Sequence, residues 1–137
     1  MAKKKYKTLG KLKQEAQKAF NKFIRSRDSD NGFFTCISCG LNKTVDQMDA
    51  GHFYPVKGYD GLRYNEDNVH GECKGCNGWD QMHLLHYQPN LIEKVGEYNW
   101  MRLIEKAKEY KKDGYKFTRF ELEEIKKEYT AKVKEVL

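Results

Sequence analysis

Two Cys-x-x-Cys pairs, Cys36/Cys39 and Cys73/Cys76, constrain this chain more than any other feature. They contain all of its cysteines, and 33 residues lie between them. Four thiolates in two tight pairs match the tetrahedral demand of Zn²⁺. The chain has 137 residues and is 34% charged, so a single domain with a modest apolar core is expected. In small zinc-folded peptides the bound ion contributes roughly 10–16 kcal/mol to folding. The basic start, Met1-Ala2-Lys3-Lys4-Lys5, runs into an amphipathic pattern rather than an apolar one, so no secretory leader is expected. No run of eighteen apolar residues is present, which speaks against a membrane span. The expected setting is therefore cytoplasmic and reducing, which favours metal binding over disulfides.

Charge is unevenly distributed. The net value is +6. Residues 1–27 hold ten Lys/Arg and one Glu, residues 28–96 five basic and ten acidic, and residues 97–137 eleven basic and nine acidic. A basic arm before an acidic centre points to a polyanionic partner, DNA above all. The candidate contacts are Lys11, Lys13, Lys18, Lys22 and Arg25 on the arm, with Lys57 and Arg63 further on. A merely solvated lysine-rich helix face is the competing reading.

Local patterns predict the elements. Residues 8–27 read as a helix with Leu9, Leu12, Ala16, Ala19, Phe20, Phe23 and Ile24 on one face. Asp28 to Gly32 stops it. Short strands are expected over 33–36 and within 45–53, with His52 near the end of the second. Residues 55–67 read as a loop, and a short helix should begin near Cys76. Pro89 is placed at a helix start, and a helix follows from Leu91 to about Lys112, with Gly96 a candidate break and Gly114 its end. Thr118-Arg119-Phe120-Glu121 has the capping-box pattern, before a last helix with Leu122, Ile125, Tyr129, Val133 and Val136 on its apolar stripe. The fold class is α+β: residues 1–27 form a basic helical arm, 33–82 a zinc-stapled core and 89–137 the C-terminal helices.

Within the core, Asp49-Ala50-Gly51-His52 precedes Asn68, which lies five residues before Cys73, and Asn77 directly follows Cys76. One histidine and two asparagines in register with four cysteines resembles the layout of a ββα-metal (HNH-type) nuclease. Phosphodiester hydrolysis needs a base for water and a cation for the charge that builds on phosphate and the departing oxygen. His52 is the candidate base, since a neutral imidazole accepts a proton near pH 7. Asn68 is its candidate support. Asn77 is a neutral oxygen ligand suited to Mg²⁺ or Mn²⁺. His70 is read either as a phosphate or metal contact or as a half-buried strand histidine.

Longer stretches carry a family resemblance. Cys36-Ile37-Ser38-Cys39-Gly40, Leu62-Arg63-Tyr64-Asn65-Glu66-Asp67-Asn68-Val69-His70, and Cys73-x-x-Cys76-Asn77 resemble the lambdoid phage NinG/Rap recombination proteins. The likeness extends upstream through residues 19–28 and downstream through 91–96 and 125–129. It implies a phage- or prophage-encoded endonuclease that cuts branched intermediates, Holliday junctions and D-loops, with a divalent metal. The knuckles and trailing asparagine are also similar to the dimeric T4-type endonuclease VII. Longer family members carry an N-terminal cysteine-containing extension that this chain lacks, which implies a different substrate range.

HNH enzymes often place Asp or His just before the base, where this chain has Gly51. Asp49 and Asp80 are the candidate carboxylate ligands instead. The rival readings are a non-catalytic zinc-knuckle DNA-binding protein and a general HNH nicking nuclease. A homodimer is also expected, because a symmetric junction needs two cuts, and the apolar stripes of the first and last helices could supply its interface.

Overall fold

The computed structural model describes residues 6–79 and 83–136. Helix α1 (Leu9–Arg27) is capped by Thr8, whose hydroxyl accepts from the Lys11 amide at 3.1 Å. The helix therefore starts one residue later than its pattern predicts, with Thr8 satisfying an orphan donor. Asn31 (φ 52°) and Gly32 (φ 83°) both adopt the left-handed region and join β1 (Ser29–Asp30) to β2 (Phe33–Thr35) in a two-residue hairpin turn. Asn-Gly is a strong signal for such a turn. The sequence reading used it only as a helix stop and so missed the hairpin. Strand β3 (Asn42–Thr44) completes a three-stranded antiparallel sheet.

A second sheet carries the site. Strands β4 (Met48–His52) and β5 (Val69–Cys73) are antiparallel, with Met48 opposite Cys73 and His52 opposite Val69. Helix α2 (Lys74–Trp79) begins at the next residue and packs on both strands. Helices α3 (His83–Val95), α4 (Glu97–Asp113) and α5 (Arg119–Val136) follow. Pro89 lies inside α3 and not at its start. The hydrogen bond it forgoes would join residues 85 and 89, both exposed, so water can take its place. Gly96 (φ 88°) separates α3 from α4, as predicted. The capping box forms in both directions: the Glu121 amide donates to Thr118 Oγ1 at 3.1 Å, and the Thr118 amide to Glu121 Oε1 at 3.0 Å.

Two apolar cores flank this hairpin. Leu12, Ala16, Phe20, Phe23 and Ile24 of α1 pack on Leu122, Tyr129 and Val133 of α5, joined by Tyr64 and Val69. The Phe20 and Tyr129 rings meet edge to face, 4.8 Å apart. The basic helix is thus a wall of the core. Its apolar stripe and that of α5 cover each other within one chain, which removes the surface on which the homodimer was argued. The second core joins Ile37, Phe53 and Leu62 to Tyr87, Leu91, Leu103 and Ala107 of α3 and α4.

Candidate metal centre and active site

Strand β5 ends in Cys73, and α2 carries Cys76 in its first turn, so the strand-to-helix turn presents one thiol pair. The chain between β2 and β3 presents Cys36 and Cys39. The four Sγ atoms lie within 4.8 Å of one another and form a cluster able to coordinate a metal ion. A tetrahedron with metal–sulfur bonds of about 2.3 Å has edges of about 3.8 Å, so modest contraction completes it. The Cys73 and Cys39 amides donate to Cys36 Sγ at 3.3 and 3.4 Å, an arrangement that suits a thiolate. The donor set is soft and complete, as in structural zinc sites.

His52 closes β4. Its Nε2 lies 3.0 Å from the Arg63 carbonyl. A carbonyl only accepts, so Nε2 carries the proton and Nδ1 keeps its lone pair. Burial, followed by the Arg63 charge, pushes the His52 pKa below its ordinary 6.5, so the ring is neutral at pH 7.

Asn68 is fully buried. Its Oδ1 accepts from the Tyr54 amide at 2.8 Å, while Nδ2 donates to the Tyr54 and Leu62 carbonyls at 3.1 and 3.2 Å. It ties both ends of the β4–β5 loop together and thereby sets the position of the Arg63 carbonyl that holds His52. His70 is buried too, with both nitrogens engaged: Nε2 donates to the Asp67 carbonyl at 2.8 Å, and Nδ1 accepts from Arg27 at 3.1 Å. Burial, then the charges of Lys94 and Arg27, bring its pKa down to about 3. Of the two readings left open for His70, this geometry is that of the buried strand histidine.

Arg27 was not singled out from sequence, yet it organises this layer. It also donates to the Glu66 and Val69 carbonyls and to Asp28. Asp28 in turn accepts from the Gly71 amide and pairs with Lys94 at 2.9 Å. Burial alone would raise the Asp28 pKa, but Arg27 and Lys94 outweigh it and hold the carboxyl well below its usual range.

Asp49 and Asn77 come together. Asn77 Nδ2 lies 3.2 Å from Asp49 Oδ2, and the Lys74 ammonium lies 2.7 Å from Asp49 Oδ1. Neither is hydrogen-bonded to His52, which lies at the other end of β4. Asp80 lies outside the described residues. Gly51 does not leave an empty ligand position: a Cβ there would collide with the carboxylate of Glu72, which is buried and accepts a hydrogen bond from Ser38 of the first knuckle. Sequence reasoning missed Glu72, whose only mark there is a carboxylate directly before Cys73; its place opposite Asp49 is set by the β4–β5 register.

The basic candidates divide. Lys18, Lys22, Arg25 and Arg63 line one concavity of about 610 Å³ with Gln14, Gln17 and Asn21. Lys11 and Lys57 are exposed elsewhere. Lys13 is half-buried and bound to Asp60 at 3.1 Å, and Arg63 binds the same carboxylate at 2.9 Å. Arg25 donates to the Met48 and Val45 carbonyls at 2.6 and 3.0 Å, so it fastens α1 to β4. Among the described residues no helix is long and apolar enough to cross a membrane.

These features define a mixed α+β protein with a four-cysteine cluster able to coordinate a metal ion, one cysteine pair carried by the β2–β3 connection and the other by the end of β5 and the start of α2. The chain belongs to the NinG family, matching the family described as "NinG: Bacteriophage Lambda NinG protein" over residues 1–137. It is 36% identical over 123 residues to protein ninG of Escherichia phage lambda, covering 90% of this chain and 56% of that protein. It is 37% identical over 125 residues to protein ninG of Salmonella phage P22, with the same coverage. The chain thus spans little more than half the length of these relatives. No solved structure matches it.

Proposed function

We propose that the protein is a divalent-metal-dependent DNA endonuclease of the ββα-metal (HNH) type that cuts branched recombination intermediates such as Holliday junctions and D-loops. The observation that carries this reading is the fixed tautomer of His52: Nε2 is held by the Arg63 carbonyl, and Nδ1 is left as a proton acceptor. The order β4, β5, α2 around the cysteine cluster and the membership in NinG support it.

In this mechanism His52 Nδ1 takes a proton from a water, whose oxygen attacks phosphorus. The 3′ oxygen leaves, giving 5′-phosphate and 3′-hydroxyl ends. Asn68 maintains the loop that presents the Arg63 carbonyl, so the ring neither rotates nor changes tautomer. Asp49 and Asn77 are the oxygen donors that would hold Mg²⁺ or Mn²⁺, with the Asn77 amide turned to present its oxygen. When bound, that ion supplies charge neutralisation at the phosphate and the leaving oxygen. The Lys74 ammonium now bonded to Asp49 would give way. The cysteine cluster would hold zinc with no open position and so serve structure alone.

The test compares wild type and His52→Ala on a labelled four-way junction with Mg²⁺. Cleavage should fall by two to four powers of ten, on the order of a general base's contribution, with DNA affinity kept. Binding without cleavage by wild type would make this a zinc-knuckle DNA-binding protein. Equal cleavage of junction and linear duplex in competition would make it a general nicking nuclease.

A further inference from the structure

The outer face of α1 is a ridge between two troughs. Lys11, Lys18, Lys22 and Arg25 fall in one line along it, spanning about 21 Å at 1.5 Å per residue. Lys18 and Lys22 belong to both troughs. The first is the concavity closed on its far side by Arg63, beside the carbonyl that holds His52. The second, of about 630 Å³, is closed by Lys126, Thr130, Val133 and Lys134 of α5, with Ala19 also lining it. Apart from the shared Lys18 and Lys22, this second trough is lined by residues with no part in the proposed active site.

The second trough carries four lysines and one acid, Glu15. That acid is already compensated, by Lys7 at 2.8 Å and Lys126 at 3.0 Å. The trough is therefore a cationic channel with an apolar floor, and its chemistry suits a phosphodiester backbone whose sugars lie on that floor. Its outer wall is a different element from that of the first trough, so each channel has cationic side chains on both sides. The two stripes that face them, Gln14–Gln17–Asn21 and Glu15–Ala19, lie roughly 150° apart around the helix axis.

We propose that the α1–α5 trough is a second DNA-backbone site, that α1 is a wedge separating two arms of a branched DNA, and that preference for branched over linear DNA resides in Lys126 and Lys134. This rests on the nuclease reading, since it presupposes that the first trough carries the arm to be cut. A linear duplex needs one trough; a branch point fills both, and the shared Lys18–Lys22 ridge lies between the diverging backbones.

The experiment measures binding of a four-way junction and of a linear duplex over a salt series, using His52→Ala protein so that no cleavage intervenes. Lys126→Gln/Lys134→Gln is compared with its parent. The log–log salt slope for the junction should flatten by about two units, one for each lost phosphate contact, while the duplex slope stays unchanged. The junction-over-duplex preference should fall on the order of tenfold. Lys134→Glu, which leaves the Glu15–Lys126 pair intact, should lower the preference in the same direction. Equal losses on both substrates would overturn the proposal, as would no loss on either, because the trough would then serve one duplex or only solvent. A parent that binds neither DNA would sink the nuclease reading itself, an outcome separate from these.

Discussion

The α1–α5 layer and the knuckle–hairpin region are held together by different forces. The helical layer buries rings and branched chains, Phe20, Phe23, Ile24, Leu122 and Tyr129, and among the described residues no charged group is enclosed there. Among the described residues the buried polar ones, Ser38, Asn68, His70 and Glu72, lie in or beside the hairpin, with Ser38 and Glu72 adjoining the cysteine pairs in the chain. Apolar burial tolerates some repacking. A buried polar network does not, because each unmet group costs about 1–3 kcal/mol. The difference shows where positional accuracy is concentrated: around the residues that would do chemistry.

Removing the metal should break the comparison most severely. Cys73→Ser deletes a ligand, and the stake is most of the roughly 10–16 kcal/mol that zinc contributes in small zinc domains. Elemental analysis of wild type should find about one zinc per chain. The variant should lose both the ion and cooperative unfolding. A well-folded, zinc-free variant would show that the hairpin stands on its own hydrogen bonds.

Phe20→Ala attacks the other half. Deleting a fully buried ring should cost about 3–5 kcal/mol. The urea midpoint should fall accordingly, while the folded fraction keeps its zinc. Loss of zinc in step with the midpoint would mean that the two regions are not separable.

Acid should act on the hairpin side. The His70 pKa is near 6.5 when unfolded and about 3 when folded, so the unfolded chain takes up a proton that the native ring refuses. The His70 contribution is fully present above pH 6.5 and is lost as pH falls toward 3, by on the order of 4 kcal/mol. His70→Asn should remove this part of the acid sensitivity in chemical unfolding measured from pH 7 to 4. An unchanged profile would place the sensitivity elsewhere.

The smallest effect concerns Lys74. Its ammonium competes for Asp49, and the pair is exposed enough to be worth about 1 kcal/mol or less. Lys74→Gln should therefore lower the Mg²⁺ concentration for half-maximal cleavage a few-fold. A higher requirement would argue against Asp49 as a ligand.

Much of this architecture was legible in the chain because its signals are local. The Cys-x-x-Cys spacings, the 3.6-residue period of α1, the break at Gly96 and the Thr118–Glu121 capping box are each written within a few residues. What was misread required knowing which segments meet. Pro89 looks like a helix start until the preceding turn is seen to be helical as well. The apolar stripes of α1 and α5 look like a surface awaiting a second copy until each is found covering the other. Lys13 and Arg25 look like free cations along with Lys18 and Lys22, but Asp60 is 47 residues from Lys13 in sequence, and the Arg25 partners are backbone carbonyls, which no residue pattern encodes.

The sequence by itself determined the four-cysteine cluster and the apolar faces of α1 and α5, and it marked His52 as a candidate, because metal geometry and helical periodicity depend on spacing along the chain. Only the tertiary structure decided the protonation and setting of the two histidines. His52 and His70 lie on paired strands of one hairpin, and the same residue type at similar sequence depth carries no mark of its fate. One receives a single carbonyl and keeps an open nitrogen; the other is closed on both sides by Asp67 and Arg27. A hydrogen-bond partner brought from 43 residues away makes that distinction, and periodicity has no means of expressing it.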